Sequence, residues 1–154
     1  MTFKKKYHNW GDGKVSYIEW DKDISMPGLQ FCHATGFNAL TYKKLLEPLS
    51  DLFHIRAEDA RGHGFTETSA IPKTIFDWKI YRDDLIQSVE NFVESKGEPI
   101  VLSGHSMGGA SVMQVAAKRP DLVSGIVLVE PVLISKMSLN IHVSYTHLRA
   151  HETD

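Results

Sequence analysis

The apolar residues change period several times along the 154-residue chain, and each change marks an element. Residues 3–10 and 15–20 are short runs rich in aromatic and β-branched side chains, separated by Gly11-Asp12-Gly13-Lys14. The Asp-Gly pair favours a tight turn, so the chain is expected to open as a β-hairpin. Pro27-Gly28 breaks the pattern before an apolar run at 29–32, which reads as a buried strand ending at His33. Leu45, Leu46 and Leu49 recur at helical spacing within 39–49, and an extended pattern resumes at 53–58. Between 76 and 96, Trp78, Tyr81, Leu85, Val89, Phe92 and Val93 fall three or four residues apart on one helical face, and Gly97 supplies the stop. A strand at 99–103, a helix at 107–119 closed by Pro120, and a nearly continuous apolar strand at 123–129 complete the pattern. Strands without polar alternation, separated by helices, imply an α/β fold: a three-layer sandwich whose mostly parallel sheet begins with an antiparallel hairpin.

Composition narrows the class. Hydrophobic residues make up 42% and charged residues 23%, the mix of a globular domain with a sizeable core. With 17 basic against 19 acidic residues the formal charge is -2, so neither nucleic acid nor an anionic membrane is expected as a partner. No apolar stretch approaches the length of a spanning helix, and the early lysines have no apolar run behind them. Cys32 is the single cysteine and cannot close an intramolecular disulfide, which makes a cytoplasmic location the expectation. The eight histidines form no close-spaced ligand set with cysteine or carboxylate, so no metal and no cofactor is expected.

The chemistry concentrates at Gly104-His105-Ser106-Met107-Gly108-Gly109, between a predicted strand and a predicted helix. A chance G-x-S-x-G in a chain of this length has a probability of roughly 0.05, and demanding a strand before it and a helix after lowers that further. A serine on so sharp a turn needs Gly104 and Gly108 where a side chain would strike the neighbouring strand or helix. The helix amino end then favours negative charge developing near Ser106, with the Met107 N–H as one donor worth about 3 kcal/mol to a transition state. A serine that merely capped the helix would not need glycine on both sides. His105, as the serine's neighbour, should point elsewhere and pack or hydrogen-bond, and His33 should orient its loop. Arg61 and His63 read as parts of a turn, and Cys32 as a small buried apolar residue. The glycine-rich turn lacks the Lys-Ser/Thr of a phosphate loop.

Three ordered motifs, Phe31-Cys32-His33-Ala34-Thr35-Gly36-Phe37, Asp59-Ala60-Arg61-Gly62-His63-Gly64 and Gly104-His105-Ser106-Met107-Gly108-Gly109, resemble the amino-terminal part of the α/β-hydrolase family over about residues 1–135. The resemblance implies about six of that fold's eight strands, a serine nucleophile at Ser106, and oxyanion donors from the backbone of Thr35 and Met107, with Gly36 as the alternative on the loop. Ala34 departs from the glycine that commonly follows the histidine in this family.

In this fold the triad runs serine, acid, histidine, so both partners should follow Ser106. Only His142, His147 and His151 do, all at the extreme end, and none suits the base. Glu130, directly after the 123–129 run, is a candidate acid, the alternative being a pocket-lining carboxylate. The final segment resembles a translated library adapter, which divides the chain into a hydrolase part at 1–142 and a non-native tail at 143–154. The chain is therefore expected to be a fragment whose natural parent continues with a lid, two strands and the rest of the triad. The expected function is hydrolysis of a small-molecule carboxylic ester or related acyl bond through an acyl-enzyme, by a parent whose fragment here is inactive. Acyltransferase, C–C hydrolase and a non-catalytic ligand-binding member of the fold are the alternatives, and no oligomeric state is implied.

Overall fold

The computed structural model describes residues 3–10, 13–68 and 78–133. Within them, six strands form one sheet in the order β1-β2-β4-β3-β5-β6: β1 (Lys4–Trp10), β2 (Gly13–Trp20), β3 (Gly28–Cys32), β4 (His54–Glu58), β5 (Ile100–His105) and β6 (Val123–Val129). β1 pairs antiparallel with β2, with Trp10 opposite Gly13, and β2 pairs antiparallel with β4. β4, β3, β5 and β6 are parallel. The expected hairpin and mostly parallel sheet are both present; residues 11 and 12 of its turn lie outside the described residues.

Alternation along the strands sends side chains to two separate cores. On one face, α2 (Lys79–Lys96) and α3 (Met107–Lys118) pack Leu85, Val89, Phe92, Val112 and Val115 over Cys32, Ile100 and Leu102. On the other, Ile18, Trp20, Leu29, Phe31, Ile55 and Ala57 meet Ala39 and Leu46. The helix expected at 39–49 is shorter and segmented: a 3₁₀ turn at Ala39–Tyr42, one α turn, α1 (Lys43–Leu46), and a second 3₁₀ turn at Glu47–Asp51 that takes Pro48 near its start. Leu46 is buried there but Leu45 is exposed, since adjacent residues of a helical turn point about 100° apart.

α2 starts at Lys79, after Trp78; residues 76 and 77 of the predicted helix lie outside the described residues. It ends as predicted, with Gly97 left-handed at φ +71° and its N–H donating to the Val93 carbonyl at 2.8 Å. β6 is the last strand of the sheet among the described residues. Ile126, Val127 and Val129 are 45%, 55% and 41% exposed, so this strand is not buried on both faces as its apolar run suggests. The segment 143–154 read as a tail, and with it His142, His147 and His151, lies outside the described residues. Among the described residues no helix is long and apolar enough to cross a membrane.

Candidate active site

The carboxyl ends of the parallel strands carry every singled-out motif. β5 runs two residues further than its apolar stretch and delivers His105 directly to the turn at Ser106, after which α3 begins at Met107. Ser106 has φ 52° and ψ -112°, a backbone conformation that costs a side-chain-bearing residue about 1–3 kcal/mol. Its side chain makes no capping bond to α3, so the capping alternative does not describe it.

The surroundings hold the bend in place. The Ser106 N–H donates to the Val129 carbonyl at 3.0 Å, and the Ser106 carbonyl accepts from Ala110 N–H at 3.0 Å and Val132 N–H at 3.2 Å. Both flanking glycines are needed for room. A Cβ on Gly104 would lie 2.4 Å from the Gly108 carbonyl carbon, and one on Gly108 would lie 2.3 Å from the Cys32 carbonyl oxygen. α3 thereby rests its first turn directly on the end of β3. Met107 is the first residue of α3, where an N–H has no helical carbonyl behind it.

The loop after β3 is fixed by histidine and tyrosine. The Ala60 N–H donates to His33 Nε2 at 2.9 Å, which leaves the proton on Nδ1 to donate to the Ala34 carbonyl at 2.8 Å. Burial lowers the pKa of His33 and favours this neutral form. The Phe37 N–H adds a second bond to the same carbonyl at 3.1 Å, closing a tight turn with Gly36 left-handed at φ +77°. Because the peptide unit is planar, anchoring the Ala34 carbonyl turns the Thr35 N–H the opposite way. Thr35 and Gly36 are exposed, and a Cβ on Gly36 would meet only open space. His105 faces away from the serine, with Nδ1 2.7 Å from the Tyr42 hydroxyl. Both histidines thus hold the orienting and hydrogen-bonding positions expected of them.

Glu130 has φ 42°, the second left-handed non-glycine residue among those described, and is exposed directly beside Val129. Arg61 and His63 lie in a turn, as expected, but Arg61 also makes a buried bidentate ion pair with Asp84 of α2, at 2.7 and 2.9 Å. The sequence reading missed that pair; the available signal was an aspartate and a serine, Asp84 and Ser88, on the buried stripe of α2.

Beneath the turn, Cys32, Glu58, Arg61, Asp84, Met107 and Ser111 help to line a cavity of about 30 Å³, room for about one water. Burial pushes the Glu58 carboxyl up to about 8 despite a hydrogen bond from Ser88, and pushes the Cys32 thiol well above its usual value. Among the described residues no group of three or more His, Cys, Asp or Glu side chains could hold a metal ion.

A family profile described as serine aminopeptidase, S33, matches residues 29–150. Monoglyceride lipase of Mus musculus is 34% identical over 128 residues, covering 80% of this chain and 42% of the lipase. The 2-(acetamidomethylene)succinate hydrolase of Mesorhizobium japonicum is 32% identical over 106 residues, 69% of this chain and 36% of that enzyme. Among solved structures, the thioesterase domain from the curacin biosynthetic pathway superposes with a TM-score of 0.78 at 20% identity, a likeness of fold, over 100% of this chain and 56% of that one. The chain spans about two fifths of the length of the curated relatives it matches. A six-stranded sheet in the order 1-2-4-3-5-6, a strained serine between β5 and α3 and a profile match over most of the residues agree: the chain belongs to the serine aminopeptidase S33 family of α/β-hydrolases.

Proposed function

We propose that this chain carries the nucleophile and oxyanion-binding part of a serine hydrolase that cleaves a small-molecule carboxylic ester or a related acyl bond. The observation that carries the reading is the left-handed backbone of Ser106, kept at the sheet end with glycines where any side chain would collide. Ser106 Oγ attacks the acyl carbon while its proton passes to a histidine. The Thr35 and Met107 N–H groups receive the oxyanion, and collapse of the intermediate breaks the bond to the leaving alcohol, which takes that proton. Water then attacks the acyl-enzyme and releases the acid. Ester-cleaving relatives support the substrate class, since monoglyceride lipase is among the proteins that match.

The histidine is assigned to none of the described residues: His8, His33, His54, His63 and His105 each bond to a group other than Ser106. Glu130 is the candidate acid, supported by its place beside the carbonyl that anchors Ser106. A serine hydrolase in which no histidine reaches the nucleophile loses several orders of magnitude in turnover, so on this reading the 154-residue chain hydrolyses esters negligibly. Added imidazole can take the proton in place of a histidine. Incubation with a fluorophosphonate and imidazole should modify Ser106, detected by peptide mass spectrometry, and Ser106→Ala should abolish the adduct. A folded chain left unmodified, or an adduct that persists in Ser106→Ala, would overturn the reading.

A further inference from the structure

Tyr42 stands in the 3₁₀ turn on the face of the sheet opposite α2 and α3, outside all three motifs, yet its hydroxyl reaches two of them. The Ala34 N–H donates to this oxygen at 3.1 Å, and the oxygen lies 2.7 Å from His105 Nδ1. With Ala34 donating in, the hydroxyl proton is free to go to His105 Nδ1. The tyrosine ring packs on Phe31, centroids 4.6 Å apart, and meets Phe37 and His105 edge-on at 6.1 and 5.9 Å. One oxygen therefore ties the peptide entering the Thr35 loop to the residue preceding Ser106.

We infer that Tyr42 is a positioning residue: its hydroxyl sets the distance between the loop that bears the Thr35 N–H and the turn that bears Ser106. The inference rests on the proposed nucleophilic role of Ser106. Three bonds fix Ala34, those of His33 and the Phe37 N–H at its carbonyl and that of Tyr42 at its N–H. Only the Tyr42 bond reaches across to the serine's own strand. Substrate need not touch Tyr42 for its loss to matter, because an oxyanion donor is effective only at a set distance from the developing charge.

Tyr42→Phe keeps the ring packing and removes the oxygen. In the 154-residue chain, the His105 ring nitrogens seen by ¹⁵N NMR should move, and hydrogen exchange at Ala34 should accelerate about tenfold, the scale of one lost hydrogen bond. The saturating rate of imidazole-supported fluorophosphonate reaction at Ser106 should fall about tenfold, with the half-saturating reagent concentration unchanged. His105→Phe should reproduce the rate loss, and the double variant should be no slower than either single one. Unaltered exchange at Ala34 together with an unaltered rate would overturn the clamp, as would additive losses in the double variant. If the Ala34 amide opens in Tyr42→Phe but Ser106 never reacts in the parent chain, it is the nucleophile reading that falls and the clamp that stands.

Discussion

At the scale of single residues, the sheet end tolerates almost no added atom at its glycines. A methyl group on Gly108 would sit 2.3 Å from the Cys32 oxygen and 2.7 Å from the His33 oxygen, both backbone atoms that cannot swing aside. Gly108→Ala should therefore destabilise the fold by about 3 kcal/mol or more, measured by denaturant unfolding. A second residue-level consequence comes from Glu58. His8 Nε2 lies 3.7 Å from its carboxyl, but desolvation, aided by Arg56, lowers His8 to about 4 while burial raises Glu58 to about 8, so both are neutral between those values. The folded chain keeps a proton on Glu58 that the unfolded chain loses near 4.5. Stability from this group is complete below pH 4.5 and declines as pH rises towards 8. His8 acts in the opposite sense, adding stability as pH rises from 4 to 6.5. Between 6.5 and 8 only the Glu58 decline remains, so the melting temperature should fall across that interval, and Glu58→Gln should flatten the fall. Asp59 and Asp84 raise Glu58 further and Arg56 lowers it, without reversing the sign.

At the scale of elements, regular ones follow from periodicity and irregular ones do not. Gly97 at the end of α2, Pro120 after α3 and the run at 123–129 state their elements locally, and the structure agrees. The segment at 39–51 was legible only as helical spacing, because the alternation between 3₁₀ and α turns depends on how Asp59 receives the Ala39 N–H, at 2.8 Å, and on Pro48. In the same way the Ser106 turn was legible from glycines and a strand–helix boundary, whereas the Tyr42 bridge links residues 63 apart and leaves no periodic trace. The Arg61–Asp84 pair belongs here too, as the tether between the turn after β4 and α2. Asp84→Ala removes the carboxylate that takes two bonds from the buried guanidinium, and should cost up to about 3–5 kcal/mol in thermal or chemical unfolding. Elsewhere on this face Glu19 is ringed by donors: burial opposes its ionisation, but bonds from His54, Lys6 and Arg56 hold it well below the usual carboxylate range.

For the whole molecule, the two cores are unequally covered: α2 and α3 roof one face, while short turns roof the other and β6 shows apolar side chains to solvent. Among the described residues β6 is an uncharged seven-residue strand at the sheet edge, and such an edge is a template for pairing with another chain. The 154-residue chain should self-associate in sedimentation velocity as concentration rises, and Val127→Lys should shift it towards the monomer. The carbonyl of Val129 and the N–H of Val132, which grip Ser106 from either side, belong to that same strand and its exit. The strained bend at Ser106 is thus not stored in its own six-residue motif alone. It is borrowed from the next strand over, so it can form only after β6 has docked, and its amide proton should report, through its exchange rate, how often that strand lets go.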